Sequence, residues 1–167
     1  MDDYLRWQGD WELWDGEAVA MSPSPFGIHQ QVIVNLAAAM KFSLQAIQCN
    51  TSVLVELDWI VNSSTVVRPD VIVVCGDVPE QHLHEAPGLI AEILSPSTRQ
   101  NDLTYKRDLY ASQSVGTYLI IDPVAQTVRL NRLEKGGYRE VPTDDQLCLQ
   151  TCDDCNITIP ISAIFGR

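Results

Sequence analysis

Charged side chains stand inside segments that otherwise read as buried. Asp70 interrupts the run from Val66 to Val74. Glu92 interrupts Leu89-Ile90-Ala91-Glu92-Ile93-Leu94, and Lys106 falls midway along the apolar side of the helix expected next. An ionised group with apolar neighbours is costly unless it is paired or bound to a metal. A chain carrying three such groups so close together must fold so that they meet. That requirement points to an active site.

The pattern of elements says how they could meet. Trp11 to Met21 reads as a hairpin turning at Asp15-Gly16, and Ser22-Pro23-Ser24-Pro25 breaks the chain. A helix over about 26–48 follows, with Ile28, Val32, Leu36, Met40, Leu44 and Ile47 at helical spacing and no acidic residue. Strands are expected near 52–59, 66–75 and 88–95, the first two joined at Asn62-Ser63-Ser64. A helix from Asn101, a good N-cap, to Gln113 leads to a buried strand, Gly116 to Asp122, stopped by Pro123. A hairpin around Gly136-Gly137 and a short strand with a helical turn, Ile157 to Phe165, complete the chain. The expected class is α/β, with a mixed central sheet flanked by helices and extra β-hairpins. At 167 residues one domain spanning 1–167 is expected.

Register brings the charges together. If strands 66–75 and 88–95 form a hairpin centred near residue 81, Asp70 lies directly opposite Glu92. Centring the preceding hairpin on Ser63 puts Glu56 opposite Asp70 as well, although an exposed strand position is the plainer reading of Glu56. Paired carboxylates repel at such short range, and a divalent cation between them relieves the repulsion. A slip of one residue would send one of them to the other face. On the helix, Lys106 sits near the centre of the face formed with Leu103, Leu109 and Tyr110, and Asp102 is its i,i+4 partner.

Composition narrows the partners. The net charge of −11 argues against broad nucleic-acid affinity, but residues 99–139 form the one stretch with more basic than acidic groups. No apolar run approaches a membrane span. The acidic start of the chain lacks the basic-then-apolar order of a signal peptide, so a cytoplasmic location is expected. The five cysteines fit that compartment as free thiols. Cys148, Cys152 and Cys155 offer a zinc ion only three ligands with no histidine nearby, fewer than a structural site takes.

Two carboxylates and a lysine suit metal-assisted phosphodiester hydrolysis. Mg²⁺ prefers oxygen ligands and keeps several waters; it polarises a phosphate and acidifies an attacking water. A lysine can orient that water and offset charge developing on the phosphate.

A wider set of residues carries a family resemblance: Asp15-Gly16-Glu17 with Met21-Ser22-Pro23, His29, Arg68-Pro69-Asp70, Ala91-Glu92-Ile93-Leu94-Ser95-Pro96-Ser97-Thr98, Asp102, Lys106, Tyr110, Gly116 and Tyr118 to Pro123. In this order they resemble the PD-(D/E)xK nuclease superfamily, and more narrowly its Uma-type restriction-endonuclease-like family, over nearly the whole chain. The resemblance implies a restriction-endonuclease-like core, Asp70 and Glu92 as metal ligands for Mg²⁺ (or Mn²⁺), DNA as substrate and a homodimer. It implies Lys106 as a catalytic residue in place of the lysine of the acidic-x-Lys pattern, whose position here is Leu94. Glu17 also matches, as a further ligand or base positioner, or as a plain hairpin-end charge. His29 could contact phosphate or serve the helix terminus; His82 and His84 read as solvated loop residues. The function expected is a metal-dependent DNA endonuclease. The alternative is a catalytically silent module that keeps the fold and binds nucleic acid or protein.

Overall fold

One long hairpin about the Ser63 turn organises the molecule by contributing to two sheets at once. The computed structural model describes residues 4–21, 26–152 and 155–166; the breaker Ser22–Pro25 lies outside them. After a 3₁₀ turn, β1 (Trp11–Trp14) and β2 (Glu17–Ala20) pair antiparallel through the turn at Asp15-Gly16. Gly16 adopts φ +92° there, a left-handed backbone that glycine reaches without a Cβ penalty. Helix α1 (Gly27–Ala46) buries Val32, Ile33, Leu36, Met40 and Leu44 along one stripe.

The expected strand 52–59 is two strands, β3 (Thr51–Val55) and β4 (Trp59–Asn62). The expected strand 66–75 is likewise β5 (Thr65–Val67) and β6 (Val71–Cys75). Register is continuous across the break: Trp59 faces Val67 and Val55 faces Val71. The split has a local cause. Glu56 takes a positive φ of 50°, and Pro69 has no N–H for a ladder. Arg68 turns aside, its guanidinium on Asp58 at 2.7 Å and Asp10 at 2.8 Å. The tip pair β4–β5 therefore joins a sheet of order β2-β1-β5-β4, while β3 and β6 stay in the central sheet.

From β6 the chain enters β7 (Leu89–Ile93), antiparallel to it with Val71 opposite Ala91. A crossover of α2 (Arg99–Leu103) and α3 (Tyr105–Ser112) then leads to β8 (Thr117–Asp122), parallel to β7. The single helix expected from Asn101 thus begins two residues earlier and breaks at Thr104, whose φ and ψ are −125° and −91°. Asn101 is interior to α2. The start is set instead by Ser95, whose hydroxyl accepts the Thr98 N–H and whose carbonyl accepts the Arg99 N–H. Strands β9 (Thr127–Glu134) and β10 (Gly137–Val141) extend the central sheet to the order β10-β9-β8-β7-β6-β3. A hairpin of β11 (Gln146–Gln150), which the sequence reading did not anticipate, and β12 (Asn156–Pro160) precedes α4 (Ile161–Phe165). The mixed α/β architecture with added hairpins is the class expected.

The cysteines correct the reading of five free thiols. Cys49 is bonded to Cys155 and Cys75 to Cys152; only Cys148 is free, and it is exposed. The partners lie 106 and 77 residues apart in sequence, so the spacing within the C-terminal trio held no clue to them. The bridges fasten the β11–β12 hairpin to the ends of α1 and β6, leave no trio for zinc, and remove the thiol argument for a cytoplasmic location. At the same junction a Cβ on Gly88 would run into the Thr151 carbonyl, so only glycine lets the hairpin close on β7.

Candidate active site

Alternation along β6 and β7 sorts the central sheet into two faces. Val71, Val73, Leu89, Ala91 and Ile93 face an aliphatic core closed by α1, the β11–β12 hairpin and α4. Ile72, Val74, Ile90 and Leu94 face a second core with Trp59, Tyr110, Tyr118 and Tyr138. Glu92 shares the second face by its alternation, and Asp70, one residue before β6, falls opposite it by the register of Val71 with Ala91.

Glu92 is 2 % exposed and accepts from three donors. Its Oε1 takes the Lys106 ammonium at 3.1 Å and the Tyr110 hydroxyl at 2.6 Å; its Oε2 takes the Asp70 backbone N–H at 3.3 Å. Asp70 points its own carboxylate back across the pair, Oδ2 accepting the Ile93 N–H at 2.7 Å with His29 Nε2 at 3.4 Å. Each carboxylate is held by a backbone N–H across the strand pair, Glu92 by that of Asp70 and Asp70 by that of Ile93.

Lys106, in the first turn of α3, is 5 % exposed and reaches a second carboxylate, Glu12 of β1, at 3.1 Å, with Asp102 at 3.8 Å across the break at Thr104. Glu12 Oε1 also accepts the Arg68 N–H at 2.7 Å, and its Oε2 accepts the Trp14 indole N–H at 2.9 Å. Reading the chain missed Glu12. Its one signal is a carboxylate within Trp11-Glu12-Leu13-Trp14, a segment too short to mark it as buried.

Burial opposes every charge in the cluster. It pushes the Glu92 carboxyl well above the usual range, against the pull of Lys106, with Asp102 and Asp70 adding repulsion. Burial likewise raises Asp102 to about 6, again opposed by Lys106. Burial alone would lower Lys106, but Glu92, Glu12 and Asp102 outweigh it and hold the ammonium well above the ordinary lysine value. For His29 burial also pulls down, and the hydrogen bond and charge of Asp70 lift it to a net rise. Buried Tyr110 and Tyr118 are pushed well up and stay donors. The Tyr118 hydroxyl fixes the Asp102 carbonyl at 2.9 Å.

Asp70, Glu92 and Lys106 thus meet, and His29 joins them through Asp70. Glu17 does not: it is exposed on β2 opposite Trp14 and lies outside the pocket that the cluster floors. Glu56 is not a strand residue; it sits exposed just past β3, at the pocket's edge, accepting from Gln30. His82 is half-buried with Nδ1 3.9 Å from Asp58, and His84 is exposed.

The pocket has a volume of about 420 Å³ and is lined among others by Glu12, Trp14, His29, Asp70, Asp102 and Lys106. Its floor is short of positive charge. Three buried carboxylates, Glu12, Glu92 and Asp102, surround one ammonium, and Asp102 Oδ1 is buried with no hydrogen-bond partner. No group of three or more histidine, cysteine or carboxylate side chains is gathered as a metal cage among the described residues. The residues present nonetheless fit a hard divalent cation. Mg²⁺ is held by one or two carboxylates plus waters and substrate oxygens, and this donor set offers oxygen ligands with excess negative charge.

The family model for Uma2, described as "Putative restriction endonuclease", matches residues 1–159. The chain belongs to the Uma2 family. No curated protein matches it. Among solved structures it is similar to one titled as a "putative nuclease belonging to DUF820" from Anabaena variabilis ATCC 29413. The TM-score is 0.76 at 19% identity, over 99% of this chain and 96% of that one. The likeness fixes the fold. Within this Uma2 chain, the residues that carried the resemblance divide into a buried set around Glu92 and exposed ones such as Glu17.

Proposed function

We propose that the chain is a metal-dependent endonuclease that hydrolyses DNA phosphodiester bonds. The observation that carries the reading is the meeting of Asp70 and Lys106, which line the pocket, with Glu92 buried behind them, in a cluster whose carboxylates outnumber its ammonium. The family description and the nuclease-titled neighbour support it. Asp70 and Glu92 would hold Mg²⁺ or Mn²⁺, which when bound polarises a phosphate and acidifies a water. The chain's own groups do the rest. Lys106, held protonated by Glu92 and Glu12, directs a water and offsets charge growing on the phosphate. Tyr110 and the Asp70 N–H keep Glu92 from rotating away, and His29 orients Asp70. Glu12 takes the supporting role that the resemblance had suggested for Glu17. A second copy of the chain, as a homodimer, belongs to the same proposal.

The test is cleavage of a supercoiled plasmid in Mg²⁺, in Mn²⁺ and in chelator. Cleavage should need the metal, vanish in Asp70→Asn, and fall about 10²–10³-fold in Lys106→Ala. Cleavage that survives chelator, or full activity in Lys106→Ala, would contradict the reading. Binding of DNA without cleavage in either metal would instead mark a silent module.

A further inference from the structure

The pocket above the charged floor has a second chemistry in its walls. Trp14, Val19, Met21, Phe26 and Pro96 line it beside the carboxylates. A volume near 420 Å³ is of the size that holds one small ligand. A nucleotide has the matching division, a flat apolar base joined to a charged phosphate.

Trp14 is built as a platform. Its ring stacks on Tyr105 with centroids 4.4 Å apart and planes 19° apart. Tyr105 is in turn anchored by its hydroxyl to Asp15 at 3.3 Å. The indole N–H is held by Glu12, whose other oxygen holds Lys106. One carboxylate therefore ties the aromatic wall to the ammonium on the floor.

Access and charge argue against a regular duplex. Glu92 and Lys106 are 2 % and 5 % exposed, so a phosphate kept in a stacked helix meets little of either side chain. Duplex binding also draws on several cationic contacts to the backbone. Here Lys106 and His29 are the basic residues lining the pocket among the described residues, and both face carboxylates. Nearby Arg68 is held by Asp58 and Asp10, and Arg99 by Asp122. Stacking of an unpaired base on an aromatic ring adds binding energy that a base inside a duplex cannot contribute.

We infer that the pocket receives an unstacked nucleobase against Trp14, so that the substrate is a single-stranded or locally unpaired DNA strand. This rests on the nuclease reading for what happens to the adjoining phosphate, but not for the binding of the base.

The experiment uses oligonucleotides of one sequence carrying 2-aminopurine, single-stranded or annealed to a complement. Binding is read by the probe's fluorescence in Ca²⁺, and cleavage is read in Mg²⁺. Single strands should bind and be cut at least about tenfold better than duplex. Trp14→Leu should weaken single-strand binding about tenfold. Phe26→Ala, at a side chain 69 % exposed and so harmless to folding, should weaken it by a smaller factor. Duplex engaged as well as single strand, or indifference to both substitutions, would overturn the base pocket while leaving plasmid cleavage to speak for the nuclease. A fluorescence change that depends on Trp14 and Phe26, without cleavage of any substrate, would uphold the base pocket and count against the nuclease alone.

Discussion

The two faces of the central sheet are built on opposite principles. The face under α1 is aliphatic, from Leu36 and Met40 to Leu119 and Ile121, and the hairpin that closes it is fastened by two disulfides. The face under α3 is aromatic and polar. Its tyrosines spend their hydroxyls on fixed partners: Tyr110 on Glu92, Tyr118 on the Asp102 carbonyl, Tyr138 on the Val115 carbonyl. Apolar packing and covalent ties suit the first. The second relies on such fixed hydrogen bonds to hold its buried charges, and still leaves Asp102 Oδ1 and Trp59 Nε1 without a hydrogen-bond partner. Stability is concentrated on one face so that the other can carry an unfavourable cluster.

Reducing both bridges should have the largest effect, because it strikes the face that holds the fold. Each native bridge contributes about 2–4 kcal/mol, so denaturant midpoints measured with and without reductant should differ widely. Little change would mean that the aliphatic contacts alone suffice. On the polar face, Lys106→Met leaves Glu12, Glu92 and Asp102 without their cation and should cost about 3–5 kcal/mol. A neutral result in urea melts would mean that the carboxylates are already protonated together.

The smallest effect has the opposite sign. Burial raises the Asp102 pKa from its ordinary 3.8 to about 6, so the folded state binds the extra proton between those values. Parent stability therefore falls as pH climbs through that window. Asp102→Asn escapes the loss. It should match the parent near about pH 4 and exceed it by on the order of 2 kcal/mol at about pH 8. A variant less stable than the parent at the higher pH would show that the carboxylate is a net stabiliser. No residue of the aliphatic face should behave this way.

Much of the polar face was readable in the chain because a charge within an apolar strand is conspicuous. The register about Ser63 and residue 81 was readable too, since alternation and turn positions fix it. The pairing of Val55 with Val71 and of Val71 with Ala91 follows that arithmetic. Glu12 escaped notice because β1 is only four residues long, too short for alternation to separate a buried carboxylate from an exposed one. Glu17, three residues before Ala20 on the exposed β2, matched a pattern yet lies away from the cluster. The split of each long strand was marked in the sequence only by Pro69; the turn at Glu56 and the partners that Arg68 finds are not legible there. Nor are the bridges, whose halves lie far apart in sequence.

The most direct measurement is thermal unfolding of the parent and Asp70→Asn with and without Mn²⁺. If the polar face is a cluster short of positive charge that Asp70 and Glu92 complete with a metal, Mn²⁺ at a hundredfold excess over its Kd adds about 2.7 kcal/mol to the parent. That is a rise in Tm of roughly 5–10 °C. Asp70→Asn should fold, since its amide oxygen can still accept the Ile93 N–H, and should show no such rise. An equal response in both proteins, or none in the parent, would contradict the account.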